Sequence, residues 1–243
     1  HLAAEGVEGA ELVVDRLRRE FHVAARVGQP QVAYCETITR PAAGEGRLIR
    51  QSGGRGQFAI VMLELEPLPG GAGIEVENAL FGGAIPKQFV PAVEAGIRDA
   101  VEAGVLLGQP LVDMKIRIVD GRFHEVDSSE RAFHTAASMA VKEGVLAGAP
   151  VILQPIMKIE VVAPEQYLGD IISDLSSRKA NIISLEPRPD GIQGITAHVP
   201  LAAMFGYATI LRSRTQGRGS FVMGFDHFAP VPADVAETLL KKP

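Results

Sequence analysis

Two short polar loops carry the side chains of this chain that are best suited to binding or chemistry. They are residues 51–57 (QSGGRGQ) and 123–130 (FHEVDSSE), and both interrupt apolar flanks. Functional residues concentrate in such loops. Glycines let the first loop approach a partner closely, and the guanidinium of Arg55 can contact phosphate or stack on a base. The ring of His124 in the second loop can stack on an exposed base or hydrogen-bond to sugar and phosphate.

Simpler interpretations fit the same residues. A glycine-rich segment between strands is also an ordinary hairpin turn, and a loop histidine is often only solvated. Asp127 with Glu130 three residues later resembles a capping box, so Asp127 and Ser128 are expected to start a helix rather than to act in catalysis. His124, Glu125 and Asp127 are too few and too irregularly spaced to indicate a metal site, and no metal is expected.

Motifs for nucleotide hydrolysis or covalent catalysis are missing from the sequence. There is no Gly-x-x-x-x-Gly-Lys-Ser/Thr stretch, so we expect no GTP hydrolysis by this chain alone. No Gly-x-Ser-x-Gly, paired-cysteine or His-Glu-x-x-His pattern occurs either. An enzyme using His124 as a general base beside Asp127 would need a nucleophile or a cofactor motif, and neither is evident. We therefore expect no catalytic residue and no cofactor within the chain.

The composition is that of an ordinary globular protein, and the length allows one large or two small domains, of which we expect two. The chain has 243 residues, of which 47% are hydrophobic, and no apolar run approaches the roughly 18 residues of a membrane span. A net charge of −5 argues against a general electrostatic grip on nucleic acid, so RNA contacts must come from local clusters. One such cluster is Arg212, Arg214 and Arg218. The single cysteine, Cys35, cannot form an internal disulfide, which fits a reducing compartment.

Hydrophobic periodicity predicts two successive α/β regions. In the first, strands are expected at 32–38, 58–66, 74–80 and 111–119, with helices around 90–101 and 133–141. In the second, the order is strand 154–162, helix 164–177, strand 181–186, strand 192–199, helix 201–211 and strand 220–228. This β-α-β-β-α-β order is the ferredoxin-like unit. A further helix is expected at 233–240.

The amino-acid sequences of both loops resemble those of the translocase domain of bacterial elongation factor G. The resemblance extends nearly from Glu11 to the end of the chain, through several long and irregular motifs. These are Gly82–Pro86 (GGAIP), Leu153–Lys158 (LQPIMK), Met204–Thr209 (MFGYAT) and Leu211–Ser213 (LRS). It identifies the chain as similar to the C-terminal part of that factor.

The resemblance implies an α+β fold with a defined domain order. Residues 1–29 would be the end of an upstream α/β domain, similar to domain III. Residues 30–150 would form domain IV, a mixed α/β domain of the ribosomal protein S5 domain 2-like type. Residues 151–229 would form domain V, the ferredoxin-like domain, and residues 230–243 a C-terminal helix that packs back on domain IV.

The resemblance also implies a mechanical function in translation. The tip loops would enter the A site of the small ribosomal subunit. There they would promote movement of tRNA and mRNA, through Ser52, Gly53, Gly54, Arg55, Gly56, Gln57, Arg122, His124 and Glu125. Arg212, Arg214 and Arg218 would form a patch that faces rRNA or another domain. The family is a ribosome-dependent GTPase, so GTP and magnesium would bind an upstream domain of the same protein. The expected protein is a cytoplasmic monomer that binds the ribosome and no membrane.

Some residues differ from those that are usual in the family, and these differences leave alternative functions open. Cys35 replaces a common arginine, Gln88-Phe89 replaces Glu-Tyr, Glu125 replaces aspartate and Gln154 replaces glutamate. These changes suggest a divergent member, so a paralogue specialised in ribosome recycling is an alternative. A different alternative is a stand-alone scaffold whose ferredoxin-like sheet binds RNA or a ligand. The strand at 181–186 has no aromatic residue for stacking on bases, which argues against RNA on that sheet.

Overall fold

The computed structural model describes residues 32–50 and 56–241. The expected end of an upstream domain at 1–29, and residues 51–55 of the first loop, lie outside the described residues. Within the described part, residues 34–153 with 230–241 form one compact unit, and residues 154–229 form a second. No helix among the described residues is long and apolar enough to cross a membrane.

The first unit is built on a four-stranded mixed sheet. Its strands are Ala42–Arg50 (β2), Gln57–Pro67 (β3), Ile74–Asn78 (β4) and Met114–Arg122 (β5), arranged in the order β2-β3-β5-β4. The pairs β2/β3 and β3/β5 are antiparallel, whereas β4/β5 is parallel. A short strand, Cys35–Ile38 (β1), pairs antiparallel with residues 150–153 in the same unit.

Two helices cover one face of this sheet, where hydrophobic periodicity predicted them. Helix α1 spans Val90–Ala103 and helix α2 spans Glu130–Ala147. The predicted stripes are buried, with Val93, Ile97 and Phe133 each fully enclosed. Together with buried residues of β3 and β5 they form one hydrophobic core.

Strand β2 was not predicted, because its glycines and charged residues hide the strand pattern. The glycines are needed where α2 lies against the sheet. A Cβ on Gly44 would come within 2.0 Å of the Ala140 carbonyl oxygen, and one on Gly46 within 1.7 Å of the Ala136 carbonyl oxygen. The strand and the helix therefore pack almost backbone to backbone, and a side chain at either glycine would force them apart.

The second unit has the expected ferredoxin-like order. Its elements are Pro150–Pro164 (β6, whose first residues belong to the first unit), Leu168–Ser177 (α3), Asn181–Arg188 (β7), Ile192–Pro200 (β8), Tyr207–Arg214 (α4) and Ser220–Pro230 (β9). The strands of this unit are ordered β9-β6-β8-β7. The last helix, Ala233–Leu240 (α5), lies in the first unit. The structure confirms the α+β class.

Both helices of the second unit begin later than the sequence predicted. Short 3₁₀ turns at Glu165–Tyr167 and Leu201–Ala203 come first, each directly after a proline that ends a strand. Helix α4 then starts behind Gly206, whose φ of +74° is in the left-handed region. The apolar pattern runs through turn and helix alike, so periodicity could not separate them.

A buried carboxylate organises the loop after α1 in the first unit. Glu36 is fully buried in β1, and its side chain accepts hydrogen bonds from the backbone N–H groups of residues 105, 106, 107 and 109 at 2.7–3.2 Å. Four hydrogen-bond donors on one carboxylate offset the free-energy cost of burying its charge. The neighbouring Cys35 is a poor nucleophile, because burial, with help from Asp113 and Glu36, raises the pKa of its thiol.

We expect Glu36→Ala to lower the free energy of unfolding of the first unit by about 3 kcal/mol or more, because several buried N–H donors lose their acceptor at once. Chemical denaturation measures the change. Glu102→Ala, which removes an exposed carboxylate from α1, is the matched control and is expected to shift stability little. Equal effects of the two substitutions would contradict a structural role for Glu36.

Candidate nucleic-acid interface

The sheet of the first unit brings the second polar loop to the start of β3. Strand β5 ends at Arg122, which pairs with Ile60 of β3, and the loop 123–129 follows directly. On the other side, Gln57 of β3 pairs with Arg50 of β2. Gly56 and Gln57 of the first loop are therefore next to the second loop, whereas Ser52, Gly53, Gly54 and Arg55 lie outside the described residues.

Backbone and side-chain hydrogen bonds hold the second loop on β3. The Phe58 N–H donates to the Asp127 carbonyl oxygen at 2.9 Å. The Ser128 hydroxyl donates to the Phe58 carbonyl oxygen at 2.7 Å. The Gly56 N–H donates to Asp127 Oδ1 at 3.1 Å. Three contacts thus join residues 127–128 to residues 56–58, and we call them the loop clamp.

A glycine is required at one side of the loop clamp. A Cβ on Gly56 would lie 2.8 Å from Asp127 Cγ and would push the carboxylate away from the Gly56 amide. The first loop thus contributes a residue that holds the second loop, in addition to its candidate contacts.

His124 is fixed by its own loop through one ring nitrogen. The backbone of His124 is also held: its amide N–H donates to Ser128 Oγ at 2.8 Å, and its carbonyl oxygen accepts from the Ser128 backbone N–H at 3.1 Å. The Nδ1 atom accepts from the N–H groups of Val126 and Asp127 at 3.4 and 3.3 Å. When the ring is protonated, Nδ1 can instead pair with Asp127 Oδ2, which is 3.4 Å away. In either state Nδ1 is tied to the loop, and Nε2 is the ring nitrogen offered to a partner.

The ring of His124 lies at an accessible surface that also contains apolar side chains. Its side chain is 54% exposed, and its ring centroid is 6.1 Å from that of Phe58 at a tilt of 51°. Arg122 and Glu125 are exposed as well. So are Phe123 and Val126, at 44% and 63%, and the sequence analysis did not select either of them. An exposed apolar pair within a polar loop was the signal that could have found them, since such surface fits the face of a base.

The expected capping box is wrong. Helix α2 is capped by Ser129, whose hydroxyl accepts from the Ala132 N–H at 3.2 Å. Asp127 instead serves the loop clamp, with its carboxylate on the Gly56 N–H. The spacing of Asp127 and Glu130 fits the capping-box pattern, but Ser129, which is closer to the helix, occupies the N-cap position. The Asp127 side chain therefore accepts a hydrogen bond from the Gly56 N–H instead.

The arginines near the end of α4 make contacts within the second unit. Arg214 Nη2 is 3.4 Å from Oδ1 of the buried Asp174, which also pairs with Arg178 at 2.8 Å. The guanidinium of Arg218 donates to the Tyr167 hydroxyl at 2.7 Å and lies 5.3 Å from the centre of that ring. Arg212 lies on the exposed surface of α4. Arg214 and Arg218 therefore stabilise this unit in addition to any external contact.

Comparisons with known proteins agree with this architecture. A family model described as elongation factor G, domain IV, matches residues 30–149, and one described as elongation factor G C-terminus matches residues 151–239. The crystal structure of ttk003000868 from Thermus thermophilus is similar to this chain with a TM-score of 0.83 and 36% identity. The similarity covers 96% of this chain and 34% of that protein, so the chain spans about a third of the length of that relative.

We expect Asp127→Ala to loosen the second loop while leaving the fold intact. The Gly56 amide loses its acceptor, so its hydrogen exchange is expected to become about tenfold faster, the equivalent of one net hydrogen bond. The ¹⁵N resonance of His124 Nδ1 is expected to shift in the same variant. Amide exchange and histidine-selective NMR measure both effects.

The control for this experiment is Glu125→Ala, which removes an exposed carboxylate from the same loop. It is expected to leave the exchange rate of the Gly56 amide unchanged. If Asp127→Ala also left that rate unchanged, Asp127 would not hold the two loops together.

Proposed function

This chain belongs to the elongation factor G family, and we propose from this premise that its loops at 51–57 and 123–130 contact RNA in the ribosome. The contacts would form in the A site of the small ribosomal subunit, where the loops would promote translocation of tRNA and mRNA. The chain carries the elongation factor domains that the two family models describe.

The observation that carries the proposal is the way in which His124 is held. A loop histidine that is only solvated has no need of a fixed ring, yet Nδ1 of His124 is tied to the loop and the loop is clamped to β3. A fixed and exposed ring is suited to stack on a base, or to donate from Nε2 to sugar or phosphate, without losing much conformational entropy. The geometry therefore favours contact with RNA by His124 over a histidine that is only solvated.

The neighbouring side chains supply the other contacts that RNA binding needs. Arg122 lies exposed at the end of β5 beside the loop, and Arg55 belongs to the first loop, so we propose that both contact phosphate. Gly53, Gly54 and Gly56 leave room for the RNA backbone, and Ser52 and Gln57 offer hydrogen bonds. Glu125 would repel phosphate, so we place it towards a base amino group or a cationic group of the ribosome.

We propose that the action is mechanical and that its timing comes from elsewhere in the protein. The sequence contains no phosphate-binding loop, so GTP and magnesium would bind an upstream GTPase domain. Nucleotide hydrolysis there would drive the entry and release of the loops, since a conformational change needs a source of differential free energy. The second unit would act as a brace against the large ribosomal subunit and the upstream domains, with Arg212, Arg214 and Arg218 facing rRNA or another domain. The protein would act as a cytoplasmic monomer on the ribosome.

Ribosome recycling is the alternative function within the same family. Its main support is the set of residues that differ from those usual in the family. Of these positions, Gln154 is buried in β6 and Cys35 lies in β1, away from the loops. Only Glu125 lies in a tip loop, and it preserves the carboxylate. The RNA-contacting surface is thus nearly unchanged, and for this reason we propose translocation ahead of recycling.

In the full-length protein that contains this chain, we expect His124→Ala to slow single-turnover translocation about 10- to 100-fold, because one or two polar contacts to RNA are worth that much. Ribosome binding is expected to persist through the remaining contacts. Fluorescent mRNA or tRNA reporters in a stopped-flow instrument measure the rate.

His134→Ala is the matched control for His124→Ala. His134 is a partly exposed histidine on α2 that pairs with Asp99 of α1 at 2.8 Å, so its ring has a partner outside the two loops. The His134→Ala substitution is expected to leave the translocation rate unchanged. An unchanged translocation rate in His124→Ala would remove His124 from the mechanism. Slow recycling with normal translocation in His124→Ala would favour the recycling function.

Charge reversal in the first loop provides an independent test. We expect Arg55→Glu to weaken ribosome binding at low salt and the loss to shrink as salt rises, because the lost affinity derives from counterion release at phosphates. Arg98→Glu on the exposed side of α1 is the control for charge alone. A loss that did not depend on salt would indicate damage to the fold and would contradict phosphate contact by Arg55.

A further inference from the structure

The second unit has a group of side chains, of types that can bind a metal ion, that plays no part in the proposed function. Its sheet packs one face against α3 and α4, with Ile159, Val161 and Ile195 in the core. The intervening residues of β6 point to the other face, and among them Lys158 pairs with His198 of β8. Strand β9 adds Asp226 and His227 near this position.

The three side chains His198, Asp226 and His227 converge on one point. Nε2 of His198 is 3.4 Å from Asp226 Oδ2, and Nδ1 of His227 is 2.6 Å from the same oxygen. The two imidazole rings meet edge to face with centroids 5.5 Å apart. All three potential ligand atoms lie within 4.8 Å of one another. No other group of three such residues was found in the described part of the chain.

These distances suit a transition-metal ion. A tetrahedral zinc ion with bonds of about 2.0–2.2 Å to nitrogen and oxygen holds its ligand atoms about 3.3 Å apart. The His198–Asp226 separation already has this value, and the hydrogen bond between Asp226 and His227 needs to open by less than about 1 Å. The side chains are between 29% and 48% exposed, so they can make this adjustment and an ion can reach them from solvent.

We propose that His198, Asp226 and His227 bind one divalent transition-metal ion of the zinc type, with water in the remaining coordination positions. Two imidazoles and one carboxylate favour Zn²⁺, Co²⁺ or Ni²⁺, whereas Mg²⁺ and Ca²⁺ prefer oxygen ligands. The site is independent of the tip loops and of any nucleotide-bound magnesium.

The electrostatic surroundings contain one favourable and one unfavourable group. The favourable group is the Asp226 carboxylate, whose Oδ2 lies within 3.4 Å of a ring nitrogen of each histidine and carries the type of charge that a cation requires. Lys158 lies on the strand between β8 and β9, and its positive charge opposes a cation there. The side chain of Lys158 is exposed, so its ammonium group can turn towards solvent, and its removal is expected to strengthen metal binding.

The sequence could not indicate this site. Metal-binding histidines are recognised when they are close in sequence, but His198 is separated from Asp226 and His227 by all of α4. Because β8 and β9 flank β6 in the sheet, only the tertiary structure brings the three together. The sequence analysis considered His124, Glu125 and Asp127 alone, and its expectation of no metal rested on them.

The test uses the whole chain, prepared without a histidine tag and freed of metal with a chelator. Titration calorimetry with ZnCl₂ is expected to give one ion per chain, and Co²⁺ is expected to give the visible absorption of a low-coordinate site. His198→Gln and Asp226→Asn are each expected to weaken zinc binding by about tenfold or more. Lys158→Met is expected to tighten it about fivefold, because a nearby positive charge is removed.

His134→Gln is the matched control, since His134 also pairs with an aspartate but belongs to no group of three possible ligands among the described residues. It is expected to bind zinc as the unaltered chain does. Thermal unfolding without metal checks that each variant is folded, and His227→Gln replaces any variant that is not. Absence of zinc binding, or equal affinity in the unaltered chain and in folded His198→Gln, would overturn the proposal. Weaker binding by Lys158→Met would place the ion elsewhere and overturn it too.

Discussion

The first unit depends on the close approach of helix α2 to strand β2. Gly44 and Gly46 leave no side chain between strand and helix, and the helix meets them with the backbone of Ala136 and Ala140. Because α2 begins directly after the second loop, this contact fixes where the loop ends. The pairing of β5 with β3 fixes where the loop starts. The candidate RNA-contacting surface is thus held at both ends by the packing of the hydrophobic core rather than by the loop's own sequence.

Within those limits, a few polar contacts set the conformation of the loop. Asp127 and Ser128 satisfy backbone groups of Gly56 and Phe58, which a loop without such partners would leave to water. The same residues tie down the backbone and Nδ1 of His124. Rigid positioning of one exposed ring reduces the entropy that binding must overcome. Acidic and hydroxyl residues beside a candidate RNA contact can thus have a structural role as loop supports, although a carboxylate by itself repels phosphate.

The second unit uses its two sheet faces differently. One face is closed by α3 and α4, where the buried Asp174 is satisfied by Arg178 and Arg214, and the Arg178 guanidinium also lies 5.1 Å from the centre of the Tyr207 ring. The other face presents polar side chains, among them Lys158 and His198. A buried charge is retained only where partners surround it, whereas charges on an open face are available for ions or for other molecules. Arginines that look like a binding patch in the sequence thus include residues that hold the fold together.

Apolar residues at a helical or alternating spacing must be buried together, so local patterns predict the buried faces of the helices and most of the strands. Val93 and Ile97 of α1, and the order of elements from β6 to β9, follow from such local patterns. The motifs of both loops also indicated the family. Other features depend on long-range packing: the role of Gly44 and Gly46, the partner of Asp127, the burial of Glu36 and the proximity of His198 to Asp226. In each of these cases the partner is distant in sequence, and a local pattern contains no information about which distant group the fold will bring into contact.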